Sequence, residues 1–217
     1  MNSFIDQLNE KSACKEGIAY ALTHKNARDA WEDCTNTQWM LWALSKFNLV
    51  DEKKHRLFAC QCIRYTPISD DKFVWDLLTD ERSKNAVIVA ERFANGEATA
   101  QELDNARSAA WSAAESTPWG AARSAARSAA WGAVESAWGA PGAAPGATWS
   151  AAWGAENAAE NAAESAESAA WSVPGAAWDA AWSAAENAAN TARSVQAELL
   201  RKIYGFPHFP DAAGIQL

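Results

Sequence analysis

Arginine and tryptophan residues come together in the middle of the chain, where other ligand-binding residue types are scarce. The candidates are Arg107, Arg123 and Arg127, together with Trp111, Trp119 and Trp131. A guanidinium can hold a phosphate or carboxylate through paired hydrogen bonds, and an indole ring can stack on a planar base. The pattern predicts a site for a small anionic ligand such as a nucleotide. The alternative is that the arginines form ion pairs with nearby glutamates such as Glu115 and Glu135.

A row of glutamates follows further along the chain, at Glu156, Glu160 and Glu164. Residues four apart lie on one face of a helix, so the row predicts an acidic face. Such a face either keeps an alanine-rich protein hydrated or binds a cationic partner. A carboxylate-bridged metal centre would also need Glu-x-x-His motifs. Residues 99–204 contain no histidine, so we predict neither a metal nor a cofactor.

The remaining residues with catalytic potential form no known constellation. The three histidines, at 24, 55 and 208, occur in no nucleophile-elbow or HExxH context. The four cysteines have no local signature of a nucleophile, and the chain has no glycine-rich phosphate loop. We therefore predict that the protein is not an enzyme.

Charge and hydropathy limit the partners. The formal net charge is −8, which disfavours binding to duplex nucleic acid or to an anionic membrane. No apolar run reaches the roughly 20 residues of a membrane span. The first ten residues lack the basic start and apolar core of a signal peptide. We expect a cytoplasmic protein.

Composition divides the chain into three parts. Residues 1–98 have an ordinary mixture and predict a small N-terminal helical module. Residues 99–204 are mostly Ala, Ser, Glu, Asn, Gly and Trp, and predict an array of long helices broken near Pro118, Pro141, Pro145 and Pro174. Residues 205–217 contain two prolines and predict an irregular C-terminal tail.

Spacing within the array indicates packed α-helices. Trp149 and Trp153 are four residues apart, as are Trp178 and Trp182, which places each pair on one helix face. Alanines recur about every four residues, as at Ala125 and Ala129, so helices that meet along them can approach closely. We predict an all-α fold without β-sheet, in which the array is a bundle or a stack of helical hairpins. A stripe of alanines that winds around a helix also predicts a homo-oligomer, because one neighbour cannot cover it.

Capping residues predict where several helices begin and end. Thr99 and Glu102 form a capping box, and Gly96 before them suits the left-handed end of the preceding helix. A helical hairpin hinged at Gly96 follows. Thr37 and Asp51 are predicted N-caps, and Asp70 and Asp71 are predicted to open a turn or helix that carries residues 73–78.

Two stretches resemble known sequences. Val74-Trp75-Asp76-Leu77-Leu78, followed by Ala90-Glu91-Arg92-Phe93-Ala94-Asn95-Gly96, and Asp29-Ala30-Trp31-Glu32 with Trp39-Met40-Leu41-Trp42 carry the resemblance. They are similar to alanine-rich uncharacterised helical proteins of phages, planctomycetes and actinobacteria. The array also resembles putative bacterial toxin immunity proteins. The resemblance implies a phage or conflict-system setting and supplies no catalytic residue.

From these observations we expect a non-enzymatic binding protein of a phage or bacterial conflict system. Its helical array would sequester a protein partner or a small ligand. One alternative is an anti-defence protein that sequesters a nucleotide signal in Arg/Trp pockets. Another is a self-assembling structural protein.

Overall fold

The computed structural model describes residues 4–69, 71–116, 128, 130–133, 144–170 and 176–209. Helix makes up more than two-thirds of these residues, which confirms the predicted all-α class. The helices of the first half are α1 Phe4–Glu10, α2 Lys15–Leu22, α3 Ala27–Asp33, α4 Thr37–Lys46, α5 Glu52–Tyr65 and α6 Glu81–Ala94. Those of the second half are α7 Ala100–Ser116, α8 Ala144–Ala170 and α9 Ala176–Tyr204.

Side-chain oxygens begin the short helices, much as their sequences predict. The Asp51 carboxylate accepts from the Lys54 N–H at 2.9 Å and caps α5. The prediction for α4 was one residue off, since Asn36 caps this helix by accepting from the Trp39 N–H at 3.1 Å. Thr37 is the first residue of α4, and its buried hydroxyl donates to the Arg193 carbonyl at 3.1 Å. The predicted cap therefore joins α4 to α9.

The helical hairpin of α6 and α7 is confirmed. Gly96 has a φ of +78°, the left-handed conformation that ends α6. The Thr99 N–H donates to Glu102 Oε2 at 2.8 Å, and the Glu102 N–H donates to Thr99 Oγ1 at 3.2 Å. Both halves of the capping box are thus present.

A small β-hairpin after α5 corrects the prediction of a fold without any β-sheet. Strands β1 Pro67–Ser69 and β2 Lys72–Phe73 pair antiparallel, and a 3₁₀ turn, Val74–Leu77, follows them. The Val74 N–H donates to the Thr66 carbonyl at 2.9 Å, and the Val74 side chain is buried. The 3₁₀ turn agrees with the turn or helix that was predicted for residues 73–78, and the burial of Val74 packs it beside α5.

Helices α8 and α9 pack against each other and against α5, so the two compositional regions share one hydrophobic core. Phe58 and Ile63 of α5 belong to the same buried cluster as Ala155 of α8 and Leu200 of α9. The segment after α9 is irregular, as predicted, through residue 209. Its last described side chain, Phe209, is nevertheless buried in that cluster.

Small residues allow close helix contacts in the array. A Cβ placed on Gly132 would lie 2.7 Å from the Ala151 backbone nitrogen, so residues 130–133 pass directly over α8. Ala130, Ala133 and Ala155 are buried around this contact region. The predicted close packing at Ala125 and Ala129 lies outside the described residues.

Two polar side chains, Gln196 and Tyr204, join α5 and its neighbours to α9. Gln196 Nε2 donates to Thr66 Oγ1 at 3.2 Å and to the Ala152 carbonyl at 3.0 Å, which satisfies both of its protons. The Tyr204 hydroxyl donates to the Asp51 carbonyl and hydrogen-bonds with His55 Nδ1. The other ring nitrogen of His55, Nε2, is buried and has no hydrogen-bond partner. It is the one such side-chain atom among the described residues.

Candidate functional site: an aromatic pocket

A cavity of about 380 Å³ lies between helices α1 to α4, Trp149 of α8 and the segment that follows α9. Ligand pockets of proteins typically have volumes of roughly 300–1,000 Å³. Seven aromatic side chains line the cavity, and small residues such as Ala13, Gly17 and Ala43 leave the space between them. The aromatic residues are Phe4, Tyr20, Trp31, Trp39, Trp42, Trp149 and Phe209.

Helix α2 forms one wall of the pocket. The Cys14 thiol acts as its N-cap and accepts from the Gly17 N–H at 3.3 Å. At the other end of α2, the Tyr20 hydroxyl donates to the Ala30 carbonyl at 3.0 Å and joins α2 to α3. The Tyr20 ring lies 5.5 Å from the ring of Trp39 on α4. These contacts hold three helices around the cavity.

The C-terminal segment forms the opposite wall. The Trp31 indole N–H donates to the Gly205 carbonyl at 2.9 Å. Phe209 then enters an aromatic cluster, with its ring 5.9 Å from Trp31, 5.2 Å from Phe47 and 6.2 Å from Phe4. An irregular segment more than 170 residues away in sequence thus completes the site.

The described lining contains no carboxylate, lysine, arginine or histidine. Its ionisable groups are Tyr20, Cys14 and Cys34. Burial is the main cause that raises the pKa of the Tyr20 hydroxyl and of the Cys34 thiol above their ordinary values. Both groups are therefore uncharged at neutral pH. Gln38 and Ser12 add polar groups to a lining that is otherwise apolar.

Arg201 of α9 holds two residues of the pocket wall in place through their backbone carbonyls. Its Nη1 donates to the Cys34 carbonyl at 2.6 Å and to the Trp31 carbonyl at 3.4 Å. These bonds join α9 to the end of α3. The guanidinium satisfies backbone carbonyls at the end of α3, and it does not line the cavity.

The structure brings together half of the predicted Arg/Trp set. The Arg107 guanidinium lies 5.1 Å from the ring centre of Trp131, and the Trp111 and Trp131 rings lie 5.3 Å apart. Trp111 is half-exposed. The other three residues of the set, Arg123, Arg127 and Trp119, lie outside the described residues.

The glutamate row is divided between the interior and the surface. Glu156 is 6% exposed, and its Oε1 pairs with Arg193 Nη2 of α9 at 2.5 Å. Glu156 is therefore a buried contact between two helices, which corrects the exposed position expected for it. Glu160 is exposed, and the Glu164 side chain lies outside the described part. Binding of a partner at this row stays a prediction.

Sequence patterns did not indicate the aromatic pocket. Trp31, Trp39 and Trp42 were visible as apolar positions of short helices, whereas Trp149 and Phe209 come from distant parts of the chain. The high density of aromatic residues between residues 20 and 47 was the available indication.

No family model, curated protein or solved structure matches the chain. Within the described residues, no helix has the length and apolar character needed to cross a membrane. The same residues contain no group of three or more His, Cys, Asp or Glu that could hold a metal ion.

Proposed function

We propose that this protein is a non-enzymatic binding protein and that the aromatic pocket takes up a small, ring-sized organic ligand. The observation that carries the proposal is a cavity of about 380 Å³ lined by seven aromatic side chains. This is about two and a half times the ~150 Å³ cavity that accepts benzene in an engineered protein interior. A phage or bacterial conflict setting remains part of the proposal, and the resemblance of the Trp31–Trp42 and Val74–Gly96 stretches supports it.

The experiment uses indole as a neutral probe and measures the melting temperature of the full chain. A ligand that binds only the folded state raises this temperature in proportion to the logarithm of its concentration above Kd. Ala43→Leu places a larger side chain in the pocket, and we expect it to abolish the shift. Ala109→Leu makes the same change on α7, away from the pocket, and should leave the shift intact. No stabilisation by indole, or equal stabilisation of both variants, would contradict the proposal.

A second candidate function is binding of a planar anion at Arg107, Trp111 and Trp131. The contact of Arg107 with Trp131, next to a half-exposed Trp111, favours it. Such a site would suit the predicted sequestration of a nucleotide. Titration with a panel of nucleotides should then show affinity that is lost in Trp111→Leu and retained in Ala43→Leu.

A further inference from the structure

We infer that the ligand of the aromatic pocket is a weakly hydrated organic cation, of the quaternary ammonium class. This inference rests on the proposed function and specifies the charge of its ligand. It follows from the arrangement of aromatic rings and charged side chains across the described chain.

Outside the pocket, aromatic rings commonly carry a basic side chain. Six rings have a lysine or arginine 4.2 to 5.9 Å from the ring centre, among them Phe206 beneath Arg28 and Trp75 beneath Arg64. Across the described residues, none of the seven rings that line the pocket has such a partner. The pocket therefore brings together seven rings over which no basic side chain of the described residues lies, and the face of an aromatic ring carries a negative potential that attracts cations.

The charges around the pocket permit a cation and disfavour an anion. Charges of both signs lie near this wall, since the pKa of Tyr20 is raised mainly by burial, then by Cys34 and Asp33, and is lowered by Arg201. The net charge of the whole protein is −8, and the field of such a protein attracts cations. An anion would find no lysine, arginine or histidine in the described lining.

Because that lining contains no carboxylate, it favours a quaternary ammonium over a primary ammonium. A primary ammonium has N–H donors that need acceptors, and burying such an ion without a charged partner is costly. A quaternary ammonium has no N–H donors and is recognised by cages of aromatic rings. Trp39, Trp42 and Trp149 are partly buried side chains of the lining that can supply such a cage.

Three probes of nearly the same shape and different charge test the inference: choline, 3,3-dimethylbutan-1-ol and 3,3-dimethylbutanoate. Isothermal titration into the full chain should show that choline binds about thirtyfold more tightly than its neutral analogue, which corresponds to about 2 kcal/mol for a desolvated cation–π contact. The carboxylate should bind most weakly. Equal affinity for choline and the alcohol, or a preference for the carboxylate, would overturn the inference.

A ring-to-aliphatic substitution locates the effect. Trp39→Leu retains an apolar wall and removes one ring, so it should weaken choline binding roughly tenfold and leave the alcohol nearly unchanged. Trp153→Leu removes a half-exposed ring of α8 outside the pocket and should change neither affinity. If choline is not bound while indole binds and Ala43→Leu abolishes its binding, the inference fails and the proposed function stands. If indole also fails to bind, both the inference and the proposed function are contradicted.

Discussion

His55 is buried without a partner for one of its ring nitrogens, and this has a consequence for stability. The Tyr204 hydroxyl hydrogen-bonds with His55 Nδ1 and lies within hydrogen-bond distance of the Asp51 carbonyl. Nε2 of His55 lies in the core without a partner. Burial, only partly opposed by hydrogen bonding to the Asp51 backbone and by the Asp51 charge, lowers the pKa of His55 to about 4 from 6.5.

We predict that the protein loses stability as pH falls from about 6.5 to about 4. In this window the unfolded chain binds a proton at His55 that the folded chain does not, so acidification favours unfolding. The shift corresponds to roughly 3 kcal/mol at ~1.4 kcal/mol per pH unit. Urea unfolding across this range should show the loss. His55→Gln should flatten the profile, whereas His208→Gln, at an exposed position, should not. A flat profile for the unmodified chain would contradict the burial of a neutral His55.

The same substitution at Gly132 and at Gly146 tests the close contact between residues 130–133 and α8, because only Gly132 lies at that contact. Gly132→Ala places a Cβ 2.7 Å from the Ala151 nitrogen and should cost about 1–3 kcal/mol, as overpacking does. Gly146→Ala lies in open space at the start of α8, where alanine should stabilise the helix by up to ~1 kcal/mol. Thermal unfolding of both variants makes the comparison. A neutral Gly132→Ala would show that residues 130–133 do not pass so close to α8.

At the scale of elements, the ion pair of Glu156 with Arg193 joins α8 to α9. Arg193→Met would leave the buried Glu156 carboxylate without its cation, and breaking such a pair costs up to ~3–5 kcal/mol. The Arg193 side chain is 38% exposed, so solvent screens part of this interaction. We therefore expect Arg193→Met to lower the free energy of unfolding by about 1–3 kcal/mol, measured by denaturant unfolding. Adding Glu156→Gln should recover part of this loss. Adding Glu160→Gln, one turn along at the surface, should recover none. Equal behaviour of the two double variants would contradict the buried contact.

Several features that depend on residues close together in sequence were predicted correctly, whereas features that depend on distant residues were not. The Thr99–Glu102 capping box and the Gly96 turn depend on residues within one turn of each other, so their sequence suffices. The Cys14 cap was missed because thiols are uncommon N-caps, although the geometry is the same. Glu156 looked like a surface residue because its partner, Arg193, lies 37 positions away and no local pattern indicates their contact.

The pocket was beyond prediction for the same reason. Local periodicity places Trp39 and Trp42 on α4, but it does not bring Trp149 or Phe209 to them. The β-hairpin at residues 67–73 also depends on packing, since Val74 finds its place against α5. Local rules therefore fixed the class of fold, and the binding site arises from contacts between distant segments.

At the scale of the whole molecule, one core spans both compositional regions. Leu200 and Ala197 of α9 are fully buried beside residues of α4 and α5, and Gln196 bonds to Thr66. We predict that a fragment of residues 1–98 lacks cooperative thermal unfolding, because it loses these contacts. Circular dichroism of the fragment and of the full chain compares them. A fragment that unfolds with a sharp transition would show that the N-terminal module is independent.

The predicted homo-oligomer remains a prediction at this scale. Light scattering at tens of micromolar should give at least twice the mass of one chain if the alanine stripes associate. A mass of one chain would contradict it and leave the pocket unaffected, since one chain supplies all of the lining described.

The central claim, that the pocket binds a ligand, is tested most directly by the indole N–H signals in a ¹H–¹⁵N NMR titration. The chain has 13 tryptophans, and four of them, Trp31, Trp39, Trp42 and Trp149, line the pocket. On titration of the ¹⁵N-labelled chain with unlabelled indole, we predict shifts concentrated in these four signals, while Trp75, Trp111 and Trp153 stay unchanged. Shifts confined to Trp111 and Trp131, or no shift in any tryptophan signal at millimolar indole, would contradict the account.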